Sequence, residues 1–223
     1  MNQMKHPLKF NIHLREPFSG FLSVISFGLA IAALVIMVVA ATRNQDAWAI
    51  VSVSIFGTGL ILLYISSSLY HLLPLDEKGI RILRKIDHMM IFVLIAATYT
   101  PFCLIALRGT LGWSLFGVIW VLAILGIILK SFYIHAPRWL SAVIYIGMGW
   151  ICIIVIVPLL KVIALGGILW LAAGGMLYTI GALFYAAKWP DPFPTIFGAH
   201  EIWHLMLIAA GYCHFWSVYK YLL

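Results

Sequence analysis

Residues 17–42 read PFSGFLSVISFGLAIAALVIMVVAAT, 26 positions without an Asp, Glu, Lys or Arg. An α-helix needs about 20 residues to cross the roughly 30 Å hydrocarbon core of a bilayer, so this run alone is long enough to span a membrane. Six further uncharged runs follow: 47–75, 89–107, 109–129, 139–160, 162–187 and 202–219, with 29, 19, 21, 22, 26 and 18 residues. The fourth and fifth are separated by the short basic segment 130–138, which contains Pro137, so they form two helices. The seventh run is short, and uncharged residues 193–200 extend it on the other side of Glu201. The chain is therefore expected to be all-α, a bundle of seven transmembrane helices. The spans are placed near 18–41, 48–73, 87–107, 111–129, 139–158, 164–187 and 198–221, within a single integral membrane domain over 1–223.

Composition agrees with that reading. Hydrophobic residues make up 64% of the 223 positions and charged residues 9%, and mean hydropathy is +1.07. A soluble domain carries about a quarter charged residues to wet its surface. The same figures exclude a disordered chain, a coiled coil and a disulfide scaffold, and the apolar runs are too long for barrel strands. A cleaved signal peptide competes for the first run, with Lys5, Lys9 and Arg15 as its basic end. Its apolar stretch nevertheless exceeds the roughly 7–15 residues such a peptide uses.

Lys and Arg counted on alternate sides give the orientation. Ten lie on the side of the N-terminus and four (Arg43, Arg108, Lys161, Lys220) on the other. That bias puts the N-terminus in the cytoplasm and the C-terminus outside. The formal charge of +7 then reads as topology plus attraction to anionic lipid. No basic domain exists to bind nucleic acid, and membrane lipids are the partners to expect.

No segment outside the spans is long enough to fold alone, so function belongs to the bundle or its rims. Residues 189–194, Trp-Pro-Asp-Pro-Phe-Pro, forbid a helix and favour a stiff, extended connection. Gly166, Gly167, Gly174, Gly175 and Gly181 in the sixth span are expected to allow close helix packing. Cys103, Cys152 and Cys213 form no Cys-x-x-Cys and read as apolar packing residues.

The chemistry lies in the polar residues of the spans, where an ionisable side chain is costly and needs a reason. Ser67 and His71 are four apart near the end of the second span and share a helical face. Asp87 and His88 open the third span, and His200 and His204, again four apart, begin the seventh. With the orientation above, all of these lie near the cytoplasmic rim. Three remote segments thus bring three imidazoles, a carboxylate and a hydroxyl to one depth. Three neutral imidazoles suit zinc, which leaves a fourth position open in catalytic sites. His6, His13 and His135 read as solvated. His214 is about 15 Å beyond His204 along the helix, too far to share an ion, and His88 points away from Asp87's direction. Residues 200–204 also satisfy His-Glu-x-x-His, in which a metalloprotease uses the Glu as general base. Glu201 sits at the very start of a span, where an interfacial acid is unremarkable.

The strings Ser-Ser-Leu-Tyr-His (67–71), Asp87-His88 leading to Ala-Thr-Tyr-Thr-Pro-Phe (97–102), and His-Glu-Ile-Trp-His (200–204) with Cys-His-Phe (213–215) resemble the hemolysin III proteins. These are the bacterial branch of the progestin and adipoQ receptor family, which includes the adiponectin receptors. The resemblance covers nearly the whole chain, with the motifs in the expected order. It implies a seven-helix protein of the bacterial inner membrane holding zinc near the cytoplasmic leaflet. Its ligands would be His71, His200 and His204, with Asp87 the partner of the zinc-bound water and Ser67 a nearby hydroxyl. One departure is visible. Relatives often carry a Glu, Asn and His series entering the first span, where this chain has Glu16, Ser19 and Ser23. Kinship with alkaline ceramidases suggests a zinc-dependent hydrolase of a lipid amide or ester. The alternative is the channel or pore of the family's name, although the spans offer no charged ring or polar run.

Overall fold

The structure, a computed structural model, describes residues 14–43, 46–133, 137–193 and 197–223. Lys5, Lys9, His6, His13 and His135 lie outside the described residues.

Within them the chain is helical throughout. The elements are α1 (Pro17–Arg43), α2 (Ala47–Leu72), α3 (Glu77–Pro101), α4 (Thr110–Phe132), α5 (Arg138–Trp150), α6 (Ile156–Val162), α7 (Leu165–Ala187) and α8 (Ala199–Tyr221). A π-helical turn over Phe102–Ala106 prolongs α3, and a 3₁₀ turn over Ile151–Val155 joins α5 to α6 as one rod. The result is seven long helical segments. Six of them are long and apolar enough to cross a membrane. The seventh, α8, has 23 residues and so is long enough, but three histidines, Glu201 and Lys220 make it less apolar than the rest. The protein is an integral membrane protein.

The helix starts have local causes. Asp46 accepts from the Trp48 amide at 2.9 Å and Asp76 from the Gly79 amide at 2.8 Å, so each satisfies a donor that the first turn leaves free. Asp76 thereby starts α3 twelve residues before the uncharged run, and the added turns carry Lys78, Arg81, Arg84 and Lys85. The break after Trp150 frees polar backbone groups inside the bundle. The Tyr99 hydroxyl meets them, facing the Met148 and Gly149 carbonyls at 3.0 and 2.6 Å and accepting from the Cys152 amide at 2.9 Å. Inside a membrane such groups must find protein partners.

Neighbours in sequence pack together along α1–α2–α3–α4, α5 leans on α7, α7 lies on α8, and α8 returns to α1 to close the ring. The expected close packing at glycines holds. A Cβ on Gly166 or Gly167 would strike Tyr221, one on Gly174 would strike the His214 ring, and one on Gly181 would strike Trp203, all on α8. Gly175 faces open space. Residues 188–193 after α7 are non-helical, as Pro190 and Pro192 require, and Phe193 and Phe197 are bridged by backbone hydrogen bonds of 3.0 and 2.9 Å.

α1 inverts the polarity of a soluble helix. Ser19, Ser23 and Ser26 are buried, whereas Phe21, Ile25 and Leu29 face outward. Lipid is as apolar as these side chains, so packing and hydrogen bonds, not water exclusion, decide which face turns inward. α5, by contrast, touches α3 and α4 only lightly. An apolar chamber of about 270 Å³ remains there, walled by residues such as Leu94, Tyr99, Ile146, Leu171 and Leu207.

Candidate metal centre

His71 in the last turn of α2 meets His200 and His204 in the first turns of α8. The three ring centroids are 5.0, 4.9 and 4.8 Å apart, a nearly equilateral arrangement. One ligand nitrogen from each ring lies within 4.8 Å of the others. Nε2 of His200 and Nε2 of His204 are 3.3 Å apart. Two nitrogens bound tetrahedrally at 2.0–2.1 Å would stand about 3.3 Å apart.

The tautomer of His71 can be assigned. Its Nδ1 lies 2.6 Å from Oε2 of Glu16. The hydrogen bond to His71 holds the Glu16 carboxyl down at about 2, against the opposing effect of burial and with help from Arg15 at 2.9 Å. An ionised carboxylate only accepts, so Nδ1 carries the proton and Nε2 presents its lone pair. That Nε2 is buried and has no hydrogen-bond partner among the described residues. A buried imidazole nitrogen left bare beside two others fits a metal ion, and a carboxylate behind the ligand ring is the usual outer support of such a site. The backbone repeats the tie, with the Glu16 amide donating to the His71 carbonyl at 3.0 Å.

The stripe Glu16, Ser19, Ser23 on α1 thus touches each element of the site. Ser19 donates to Oε1 of Glu201 at 2.9 Å, joining α1 to α8. The hydroxyls of Ser23 and Ser67 are 3.0 Å apart, joining α1 to α2, and Ser23 also reaches the Ser19 carbonyl at 2.9 Å. Ser67 and His71 in turn are the polar neighbours of Asp87.

Glu201 is otherwise engaged. Its second oxygen accepts from the Gly198 amide at 2.9 Å, capping the start of α8. Both oxygens therefore hold structure, which weighs against a protease role for the His-Glu-x-x-His string.

Asp87 is not among the clustered ligands, but it lines the same small pocket as Ser67, His200 and His204. His88 lines it too, although a residue one step along the helix was expected to face elsewhere. The pocket wraps far enough around α3 to include both, and Nε2 of His88 lies 3.5 Å from the Tyr185 hydroxyl. His214 is remote, as its spacing required, stacked on Tyr178 at 5.4 Å beside the apolar chamber. Sequence reasoning gave Glu16 no part in the centre and left Glu201 without one.

An integral membrane protein whose second and last helices converge three buried imidazoles on one point is the class these features define. The profile of the family described as Haemolysin-III related matches residues 10–215, and the chain belongs to that family. It is 42% identical over 198 residues to Hemolysin-3 of Bacillus cereus, covering 87% of this chain and 86% of that protein. It is 42% identical over 193 residues to the Hemolysin-3 homolog of Bacillus subtilis (strain 168), covering 86% and 87%. With the Monocyte to macrophage differentiation factor of Homo sapiens it shares 28% identity over 183 residues, covering 80% and 74%.

Proposed function

We propose that this protein is a zinc-dependent hydrolase that cleaves an amide or ester bond in a membrane lipid, and that it acts in membrane homeostasis. The observation that carries the reading is a shared wall. Ile91, Tyr145, Ala182, Trp203 and Leu207 line both the pocket that holds Asp87, His200 and His204 and the apolar chamber. An acyl chain lying in the chamber would bring its carbonyl to the histidines.

Three neutral imidazoles with an open fourth position favour zinc among the common divalent ions. The ion, when bound, supplies Lewis acidity toward a carbonyl oxygen and lowers the pKa of water to about 7. Asp87 then acts as general base, taking the proton of the attacking water on a carboxylate oxygen and returning it to the leaving group. Ser67, with one hydroxyl proton, can turn it from its serine neighbour to the developing oxyanion or to the water. Glu16 fixes the ring of His71, and the apolar chamber keeps water from the acyl chain.

The relatives named Hemolysin-3 favour a second reading, a lytic pore in which the metal is structural. One preparation decides between them. Zinc-loaded protein in liposomes should release fatty acid, read by mass spectrometry, without releasing a trapped dye. Dye release with no lipid cleavage would establish the pore.

We assign the site to the cytoplasmic leaflet, with the N-terminus inside, on the ten-to-four excess of Lys and Arg on that side. In a background lacking the native cysteines, a cysteine at Arg81 or Asp191 should be protected from an impermeant thiol reagent in intact cells. One at Arg43 should be labelled. The reverse pattern would move the site to the outer face.

A further inference from the structure

The pocket beside His200 and His204 is edged by three cations. Arg84 on α3, Lys130 in the last turn of α4 and Arg138 at the start of α5 line it together with Asp87 and His200. Among the described residues its lining has one carboxylate, Asp87, and that group faces Ser67 and His71. The cations lie close enough together that His88 stands in the field of all three. None has an acidic partner among the described residues. Lys130, only 7% exposed, donates to the Ser141 hydroxyl at 2.9 Å, a neutral acceptor that leaves its charge uncancelled. Arg138 lies over the Tyr185 ring at 5.1 Å, an arrangement that occupies its face and leaves its N–H groups free. Arg84 has no acceptor at all among the described residues.

A preference for positive charge at the cytoplasmic side does not account for this placement. Lys78 and Arg81 serve that preference from exposed positions outside the pocket, whereas Lys130 is buried, Arg84 is half-buried, and Arg138, though exposed, lines the pocket. Arg84, by contrast, shares one face of α3 with Asp87, His88 and Ile91, at the i, i+3, i+4, i+7 spacing of a single helical stripe. Along that stripe the character changes in order: a cation, then the carboxylate and imidazole level, then the apolar wall. At 1.5 Å per residue, Arg84 stands about 4.5 Å on the rim side of Asp87, and Ile91 about 6 Å on the other side. The buried Lys130 charge needs a partner, and the two guanidinium groups beside it, half-buried at Arg84 and exposed at Arg138, match the oxygens of a phosphate in their fork geometry.

We propose that the pocket binds a lipid with an anionic phosphate headgroup, held by Arg84, Arg138 and Lys130 at the rim while its acyl chain enters the apolar chamber. This assignment rests on the hydrolase reading for the position of the chain, and it names the substrate class of that reaction as a phospholipid.

The test uses wild-type protein in phosphatidylcholine nanodiscs, titrated calorimetrically with di-O-hexyl phosphatidic acid, whose ether links cannot be hydrolysed. Di-O-hexylglycerol and inorganic phosphate are the comparison ligands. The phosphatidic acid analogue should bind at least tenfold more tightly than either. Arg84→Gln and Arg138→Gln should each weaken it by about tenfold, the worth of a charge-assisted hydrogen bond, and leave the neutral diether unchanged. Lys78→Gln and Arg81→Gln should have no effect. Equal affinity for the neutral diether would overturn the proposal, as would equal losses in the Lys78 and Arg81 variants. Inorganic phosphate binding as tightly as the lipid would make this a site for a free anion and overturn the lipid assignment. Because no bond is cleaved in this assay, loss of charge selectivity sinks the headgroup site alone, whereas absent turnover with selective binding sinks only the hydrolase.

Discussion

Asp87→Asn protein is expected to lose lipid turnover by about 10²–10⁴-fold, the usual cost of removing a general base, while it keeps its fold and its metal. Asparagine preserves the size of the side chain beside Ser67 and His71 but cannot accept a proton. Glu201→Gln should behave in the opposite way. Both Glu201 oxygens are engaged, one by the Gly198 amide and one by Ser19, so the variant should lose about 1 kcal/mol of stability and retain most of its turnover. A metalloprotease built on the His-Glu-x-x-His string would invert this ranking. Thermal unfolding and fatty-acid release, measured on the same three proteins, separate the cases. Metal lost from Asp87→Asn as completely as from a ligand variant would place Asp87 on the ion itself.

His204→Ala should leave purification with no zinc, because only two imidazoles would remain. Glu16→Ala should keep the triad but bind zinc about 10–100-fold more weakly, the usual effect of removing the carboxylate behind a ligand imidazole. Glu16→Gln should fall between Ala and wild type, since an amide oxygen still accepts from Nδ1 but carries no charge. Chelator competition reads the affinities. Ser19→Ala is the control, because it loosens the α1–α8 tie without touching His71. Unchanged zinc affinity in Glu16→Ala would mean that packing alone orients the ring.

Much of this was legible because it is local. The spacing of His200 and His204 on one helix, and of Ser67 and His71 on another, fixes shared faces, and the uncharged runs fix the depth at which those faces meet. Glu16 was not legible in that way. It precedes the first uncharged run, and its contact with His71 exists only once α1 has closed on α2. Glu201 did leave a signal, since Gly198 followed three positions later by a Glu at a helix start is half of a capping box. The stripe Arg84, Asp87, His88, Ile91 was also readable at helical spacing. Its first member lay outside the run counted as a span, because the Asp76 cap that extends α3 was overlooked. The break between α5 and α6 is legible only in part: Pro158 has no N–H to offer the Ile154 carbonyl, but what satisfies the freed backbone groups is not local. They depend on Tyr99 from another helix.

The bond between Ser19 and Glu201 joins residues 182 positions apart, and this separation bears on how the protein is made. α8 leaves the ribosome after every other helix, and it alone of the seven described segments lacks a stretch apolar enough to count as a span, so the bilayer alone holds it weakly. Its seat is already prepared: a glycine-notched face on α7, a serine on α1, and a histidine on α2 lacking its companions. Two of the three imidazoles arrive with that final segment. A metal ion taken up by the triad would thus be captured only as the bundle is completed, and a chain stalled before α8 would also lack the Ser19–Glu201 tie between its first and last helices.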